Sequence, residues 1–183
     1  MHQILPLFGA QQTMNNTLAI LNLDHNNRSI RDIHITQKQF KFKCKRNATL
    51  CCKLGGPVLT QEDINKIKLA GYSTDIFLEP LKTNAENLLG RLKTRPDGSC
   101  IFLNYDKTQN QNNCRIYNSR PSLCRLYPFT FEILDTDHIA LKLIPCCLGL
   151  NNPEGKILDE QFVIKNLLEP LFDAIKLRQT NAI

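Results

Sequence analysis

The chain has 183 residues, of which 42% are hydrophobic, and it carries a formal net charge of +6 at pH 7. This length suits one globular domain with a core of its own, so the cysteines are not needed to replace a missing core. The mild excess of positive charge permits an acidic partner without requiring one. Because tryptophan is absent and aromatic residues make up only 7% of the chain, extensive stacking on nucleic-acid bases is not expected.

The N-terminal segment MHQILPLFGAQQTMNNTLAIL lacks a basic start, and Gln and Asn break its apolar runs. These features do not match a secretory signal peptide. No segment approaches the run of about 18 apolar residues that a transmembrane helix needs. We therefore expect a cytoplasmic protein with no membrane partner. In that compartment thiols stay reduced, and clustered cysteines more often bind metal than form disulfides.

Two short strands are predicted near the N-terminus, TLAILNL at residues 17–23 and SIRDIHI at residues 29–35. A helix is predicted within VLTQEDINKIKLAGYS, residues 58–73. Thr60 can cap the start of this helix together with Asp63, and Gly71 can end it. The apolar residues of the helix are Ile64, Ile67 and Leu69.

The second half of the chain mixes turns, strands and one longer helix. Pro96-Asp97-Gly98 is a turn between two extended runs, which is typical of a hairpin, and the polar KTQNQNN (107–113) predicts a surface loop. FTFEIL and HIALKLIP predict an antiparallel pair of strands. DEQFVIKNLLEPLFDAIKLR predicts an amphipathic helix with a kink or break at Pro170.

These elements predict a small single domain of the α+β class, with short antiparallel strands, several helices and a cysteine-rich metal site. Residues 1–39 are expected to form an N-terminal extension with short strands. Residues 40–150 are expected to form the cysteine-cluster domain, and residues 151–183 a helical segment that packs on it.

The cysteines fall into four groups along the chain, each beside a turn-forming glycine or proline. Tight turns let backbone N–H groups face sulfur atoms and hold metal ligands in place. The spacing is not that of a standard zinc finger or ferredoxin, but the grouping predicts a metal site that holds an iron–sulfur cluster or zinc. The candidate ligands are Cys44, Cys51, Cys52, Cys100, Cys114, Cys124, Cys146 and Cys147.

The adjacent pair Cys51-Cys52 also favours metal binding, because a disulfide between neighbouring residues is strained. Two adjacent thiolates can serve one metal or face two different centres. Arg120 and Arg125, close to Cys124, can offset the thiolate charge or bind an anionic cofactor. Tyr117 and Tyr127 are predicted to be core aromatics with satisfied hydroxyl groups.

The segments FKCKRNATLCC, VLTQEDI, DGSCIFL, CRIYNSRPSLCRLYPF and CCLG resemble, in order and spacing, the CxxCxxCC cysteine-cluster family of YkgJ type. Members of that family are described as zinc- or iron-chelating, and the family includes proteins similar to the flagellin lysine methylase. The resemblance covers about residues 40–150. It implies that all the candidate cysteines except Cys147 are ligands.

The chain departs from the family between Cys44 and the adjacent pair, where the family has a further cysteine and Ala48 is the closest equivalent here. Either Cys147 replaces the missing ligand, or the protein binds one metal centre instead of two. Four ligands suffice for one zinc ion or one [4Fe–4S] cluster.

The leading hypothesis is a metalloprotein that uses this centre for redox or group-transfer chemistry if it is an enzyme. The first alternative is a zinc-stapled interaction module without catalysis. The second, from the resemblance to the methylase, is methyl transfer to protein lysines, although Gly55-Gly56 alone is too little for a phosphate- or cofactor-binding loop. The expected partner is an unidentified protein or small molecule, and nucleic acid is not expected.

Overall fold

A computed structural model of the chain describes residues 16–47, 50–53, 55–81 and 88–179. Every strand pair in this part of the chain is antiparallel, so the fold is α+β, as predicted. The strands are β1 (Thr17–Asp24), β2 (Ser29–Ile35), β3 (Lys41–Phe42), β4 (Val58–Thr60), β5 (Leu78–Glu79), β6 (Leu88–Leu92), β7 (Leu103–Asp106), β8 (Gln111–Cys114), β9 (Phe129–Ile133), β10 (His138–Leu143) and β11 (Lys156–Ile157). The helices are α1 (Leu50–Lys53), α2 (Gln61–Leu69), α3 (Thr74–Phe77), a 3₁₀ turn (Tyr117–Ser119), α4 (Ser122–Leu126), α5 (Glu160–Phe162), a π-helical segment (Val163–Leu167) and α6 (Leu168–Gln179). None of the helices in these ranges is long and apolar enough to cross a membrane.

The main sheet has four strands in the order β2-β1-β10-β9. The predicted strands at the N-terminus and the predicted pair FTFEIL and HIALKLIP are therefore confirmed. The two central strands are far apart in sequence, and each alternates or nearly alternates buried aliphatic residues with partly exposed ones. Leu21 of β1 and Leu141 of β10 are fully buried at the centre of the sheet. The expected boundaries at residues 39 and 150 stay a prediction.

The C-terminal helix covers one face of the main sheet. Leu171, Phe172 and Ile175 of α6 belong to the same buried cluster as Leu21 and Leu141. Burying such side chains contributes roughly 1.5–3 kcal/mol each, so this helix and sheet form the larger core of the molecule.

Of the two alternatives predicted at Pro170, a kink or a break, the break is wrong. Instead, helical structure continues from α5 through the π-helical segment into α6. Pro170 has no N–H to donate to the carbonyl of Asn166. Asn166 lies in the π-helical segment, which ends three residues before the proline.

A smaller core lies around the first cysteines. It contains Cys52 and Cys100 together with buried apolar residues of α2, β6 and β7. Around it are the three-stranded sheet β4-β6-β5 and the hairpin β7-β8. The fold therefore places the cysteine cluster in a second, smaller core that lies apart from the main sheet.

The cap predicted for α2 is confirmed. The backbone N–H of Asp63 donates to Oγ1 of Thr60, and the backbone N–H of Thr60 donates to the carboxylate of Asp63, both at 3.1 Å. Gly71, which has a φ of +92°, follows the end of the helix.

Of the apolar residues of α2, Ile64 and Ile67 are buried, whereas Leu69 lies off their stripe and is 89% exposed. One detail of the predicted elements is wrong. Residues 111–113 were expected in a surface loop, but they pair with β7 as part of β8. Their Gln and Asn side chains are polar because this hairpin lies near the surface.

Candidate metal centre

Cysteines from separate parts of the chain meet at one cavity of about 30 Å³. That volume is enough for a water-sized body. The cavity is also lined by Arg46, Tyr117 and Arg120. The cysteines that line it are Cys44, Cys51, Cys52, Cys100, Cys114 and Cys124.

Two close backbone contacts fix the position of the helix that carries the adjacent cysteines. The N–H of Cys100 donates to the carbonyl of Cys52 at 2.8 Å, which ties α1 to the turn after β6. Gly56, just beyond α1, lies so close to β6 that a Cβ atom there would be 2.0 Å from the carbonyl oxygen of Leu92. Gly56 is therefore required by close packing against β6.

A tight turn presents Cys100 to the cavity. The N–H of Arg95 donates to the carbonyl of Ser99 at 2.8 Å, and Gly98 adopts a φ of +79°. Thr94 and Cys100 form a single antiparallel bridge. The predicted turn at Pro96-Asp97-Gly98 is confirmed, but it closes one bridge instead of a long hairpin.

The cavity thiols are linked by hydrogen bonds that converge on Cys52. The thiols of Cys100, Cys114 and Cys51 all bond to it, and these bonds, together with burial, raise the pKa of Cys52 well above its usual range. The same bonds lower the pKa of Cys51 and of Cys100 to about 7 each, and they lower the pKa of Cys114 as well. Three thiols next to Cys52 therefore lose their protons more readily than an ordinary cysteine does.

Backbone N–H groups and guanidinium groups also favour thiolates at this cavity. The N–H groups of Phe102 and Leu103 help to lower the pKa of Cys100, and the N–H of Ile116 helps to lower that of Cys114. The N–H of Leu103 also donates to the carbonyl of Cys100 at 3.0 Å. The positive charge of Arg120 lowers the pKa of both Cys51 and Cys114. In metal sites, backbone N–H groups that follow a cysteine by two or three residues can likewise face its sulfur and orient the thiolate ligand.

The thiols are close together, but they are not yet in the arrangement of a metal site. Within the described ranges, no group of three or more His, Cys, Asp or Glu side chains is positioned to hold a metal ion. Neutral thiols share protons in pairs, whereas a metal ion needs deprotonated sulfurs arranged around one point. The donor chemistry therefore fits zinc or iron, and binding requires loss of protons and rotation of side chains.

Cys124 is held in place by the N-terminus of α4. The carboxylate of Asp63 accepts hydrogen bonds from the N–H of Ser122 at 2.9 Å and from its hydroxyl at 3.3 Å, and that hydroxyl also donates to Asp173 at 2.6 Å. Burial raises the pKa of Cys124. Asp63 thus caps its own helix and connects it to the helix that carries this cysteine.

The two remaining cysteines lie outside the cavity. Cys146 is exposed and hydrogen-bonded to the hydroxyl of Tyr127. The sulfur of Cys147 accepts the N–H of Gly149 at 3.4 Å, and burial raises its pKa. Their assignment as ligands stays a prediction. Ala48, at the position of the missing family cysteine, lies outside the described residues.

Tyr117 and Arg46 are parts of the site that the sequence alone did not reveal. Tyr117 was expected in the core, but its half-buried ring lines the cavity and its hydroxyl is hydrogen-bonded to Cys44. The guanidinium groups of Arg46 and Arg120 lie over this ring, at 4.4 and 3.9 Å from its centroid. A signal was present in the sequence, since Tyr117 lies between Cys114 and Arg120.

The two arginines predicted to bind an anionic cofactor have different surroundings. Arg120 lines the cysteine cavity and donates from Nε to the carbonyl of Tyr117 at 3.0 Å. Arg125 faces the neighbouring groove and pairs with Glu169 of α6 at 2.8 Å. Hydrogen bonding to Arg125 and to Lys66 lowers the pKa of Glu169 to about 2 despite its partial burial.

Comparison with known proteins identifies relatives of this chain. The model of the CxxCxxCC family, described as a "putative zinc- or iron-chelating domain", matches residues 43–160. An uncharacterised protein of Methanocaldococcus jannaschii is 34% identical over 143 residues, which cover 72% of this chain and 75% of that protein. No solved structure matches the chain.

Proposed function

This chain belongs to the CxxCxxCC family of zinc- or iron-chelating domains, and we propose that its cysteine cavity holds one metal centre that stabilises the smaller core. The four thiols joined through Cys52 are the proposed ligands. They are Cys51, Cys52, Cys100 and Cys114.

The observation that carries this proposal is the hydrogen-bonded group of thiols around Cys52. Four cysteines from α1, the turn after β6 and the end of β8 line one cavity, and three of them raise the pKa of the fourth, Cys52. Four thiolates form a complete ligand set for a tetrahedral zinc or iron site. A bound ion would connect these three chain segments.

Stabilisation of the fold is the role that this location supports. Counted among the described residues, the cluster around Cys52 has ten buried members, whereas the cluster of the main sheet has eighteen. Small cores gain little from hydrophobic burial and are often stabilised by metal ions or disulfides. The cavity volume of about 30 Å³ favours a single ion, which we propose to be zinc.

An iron–sulfur cluster in the same cavity is the second candidate. It is favoured by Cys44 and Cys124, which line the cavity in addition to the four proposed ligands. Arg46 and Arg120 could offset the negative charge of a thiolate-bound cluster. A cluster would supply electron transfer, and redox or group-transfer chemistry would then be open to the protein.

Anaerobic purification, followed by metal analysis, sulfide analysis and a visible absorption spectrum on the same sample, tests the proposal. We expect a colourless protein with one zinc ion per chain. A brown protein that contains iron and sulfide would show that the protein holds an iron–sulfur cluster instead of zinc. A protein with neither metal and with free thiols would refute both candidates.

Serine substitutions then test the ligand assignment. Cys52→Ser is expected to lose most of the bound metal, because this sulfur contacts all three other proposed ligands. Cys146→Ser is the matched control, since Cys146 is exposed and lies outside the cavity. Equal metal content in the two variants would show that the centre is not held by the group around Cys52.

A further inference from the structure

A second cavity lies directly beside the cysteine cavity and is open to solvent. We call it the basic groove. It has a volume of about 680 Å³ and shares Cys44, Arg46, Tyr117 and Arg120 with the cysteine cavity. This size is within the range of small-molecule binding sites, roughly 300–1,000 Å³. Its basic side chains are Lys43, Arg46, Arg120, Arg125, Lys156 and Lys165.

The groove is rich in positive charge that is not neutralised within the protein. Glu154 is its one lining carboxylate among the described residues, and it pairs with Lys43 at 2.6 Å. Arg125 pairs with Glu169. In the described part of the chain, the other four basic side chains of the groove have no carboxylate partner. These are Arg46, Arg120, Lys156 and Lys165.

Two of these unpaired cations are already held in a fixed position. The guanidinium groups of Arg46 and Arg120 stack over the ring of Tyr117. Stacking on an aromatic face leaves the N–H groups at the edge of a guanidinium free to donate, and their forked geometry matches phosphate and carboxylate oxygens. A preorganised pair of this kind loses little conformational entropy when an anion binds.

Arg125 adds a buried donor at the same groove. Its Nε atom is inaccessible to solvent and has no hydrogen-bond partner among the described residues. A buried donor without a partner costs free energy, roughly 1–3 kcal/mol in proteins. Because Nε is closed off from solvent, an anion in the open groove would stabilise Arg125 through its charge and not through a hydrogen bond to Nε.

We propose that the basic groove binds a small phosphate-bearing molecule, with its phosphates between the Tyr117-stacked guanidinium groups and Lys165. The cations line one concave cavity, which favours a compact anion over a nucleic-acid strand. Phe42 and Phe162 also line the groove, so that part of its wall is apolar. The proposal depends only on the residues of the groove, so it stands whether or not the cysteines hold metal.

Binding of two probes, inorganic pyrophosphate and ATP, to the full-length protein by isothermal titration calorimetry tests this proposal, with metal content measured on each sample. Each cation that contacts a phosphate makes a charge-assisted hydrogen bond, so the double variant Lys156→Gln/Lys165→Gln is expected to weaken ATP binding by roughly tenfold or more. The matched control is Lys68→Gln/Lys176→Gln, which removes the same charge at exposed positions outside the groove. The control is expected to bind both probes like the unchanged protein.

Each outcome has a defined meaning. If both pyrophosphate and ATP bind, and binding weakens only in Lys156→Gln/Lys165→Gln, the proposal is supported. If only ATP binds and weakens in that variant alone, the proposal is supported for a ligand whose organic part also contributes to binding. Absence of binding at millimolar concentration, or an equal loss in both double variants, would overturn it. Tighter binding of a single-stranded oligonucleotide or of polyglutamate than of ATP would also overturn it. If the metal content is the same in every sample, a loss of ATP binding cannot result from a loss of metal. A failure of the phosphate proposal can then be told apart from a failure of the metal proposal.

Discussion

Single residues set the distances within the cysteine cavity. Gly56 allows the chain after α1 to lie against the backbone of Leu92, and the N–H of Leu92 bonds to the carbonyl of Pro57 at 2.9 Å. A larger residue at position 56 would move α1, and with it Cys51 and Cys52, away from Cys100. The geometry of the thiol group thus depends on a residue that carries no functional group.

Gly56→Ala is expected to destabilise the protein by about 3 kcal/mol or more, because the new Cβ atom overlaps backbone atoms that have no room to move. Gly98→Ala is the matched control. Gly98 needs its positive φ, but a Cβ atom there would meet nothing within 4 Å, so about 1–2 kcal/mol is expected from backbone strain alone. Urea unfolding measures both values. Equal losses would show that the contact with Leu92 can relax.

At the scale of elements, Asp63 connects the helices on which the site depends. It is 1% exposed, caps α2 and accepts two hydrogen bonds from the N-terminal residue of α4. A buried carboxylate is tolerated where donors surround it. The α4 helix carries Cys124 at the cavity and Arg125 at the basic groove, so Asp63 orients parts of both sites without lining either.

Asp63→Ala is expected to lower the free energy of unfolding by about 2–3 kcal/mol, because it removes one of the two capping-box hydrogen bonds of α2 and the acceptor of the buried N–H of Ser122. Glu62→Ala is the control in the same helical turn. Glu62 makes an exposed ion pair with Lys66, and such pairs contribute about 0.3–0.5 kcal/mol. The midpoint and slope of urea unfolding give both values, and similar losses would argue against the connecting role of Asp63.

At the scale of the whole molecule, the two cores differ in what stabilises them. The main sheet and α6 bury long aliphatic and aromatic side chains, including Leu21, Leu141 and Phe172. The smaller core includes Cys52 and Cys100, whose sulfur atoms lie at the cysteine cavity. In the proposed function, a metal bound by these thiols would therefore contribute more to the smaller core than to the larger one.

Removal of the metal with a chelator is expected to loosen the smaller core and to leave the main sheet folded. Amide hydrogen exchange measures this region by region. We expect protection to fall in β7 and β8, which lead to Cys114, and to persist in β1 and β10. A uniform loss of protection would show that the two cores unfold together, and an unchanged pattern would show that the metal does not stabilise the fold.

The amino-acid sequence by itself determined the elements with strong local signals. The capping box of Thr60 and Asp63, the turn at Gly98 and the strands β1, β2, β9 and β10 follow from side-chain chemistry and alternation within a few residues. The mix of short strands and helices gave the α+β class, and the grouping of the cysteines and the family motifs indicated a zinc- or iron-chelating domain, without any knowledge of contacts.

Only the tertiary structure decided which cysteines meet and what surrounds them. It brings six thiols to one cavity and leaves Cys146 and Cys147 outside it. It also shows that Tyr117, which was expected in the core, lies between the cavity and the basic groove and under two guanidinium groups. Local pattern could not show this, because the contacts join residues far apart in the chain, and their positions depend on close packing at Gly56 and on the hydrogen bonds of Asp63.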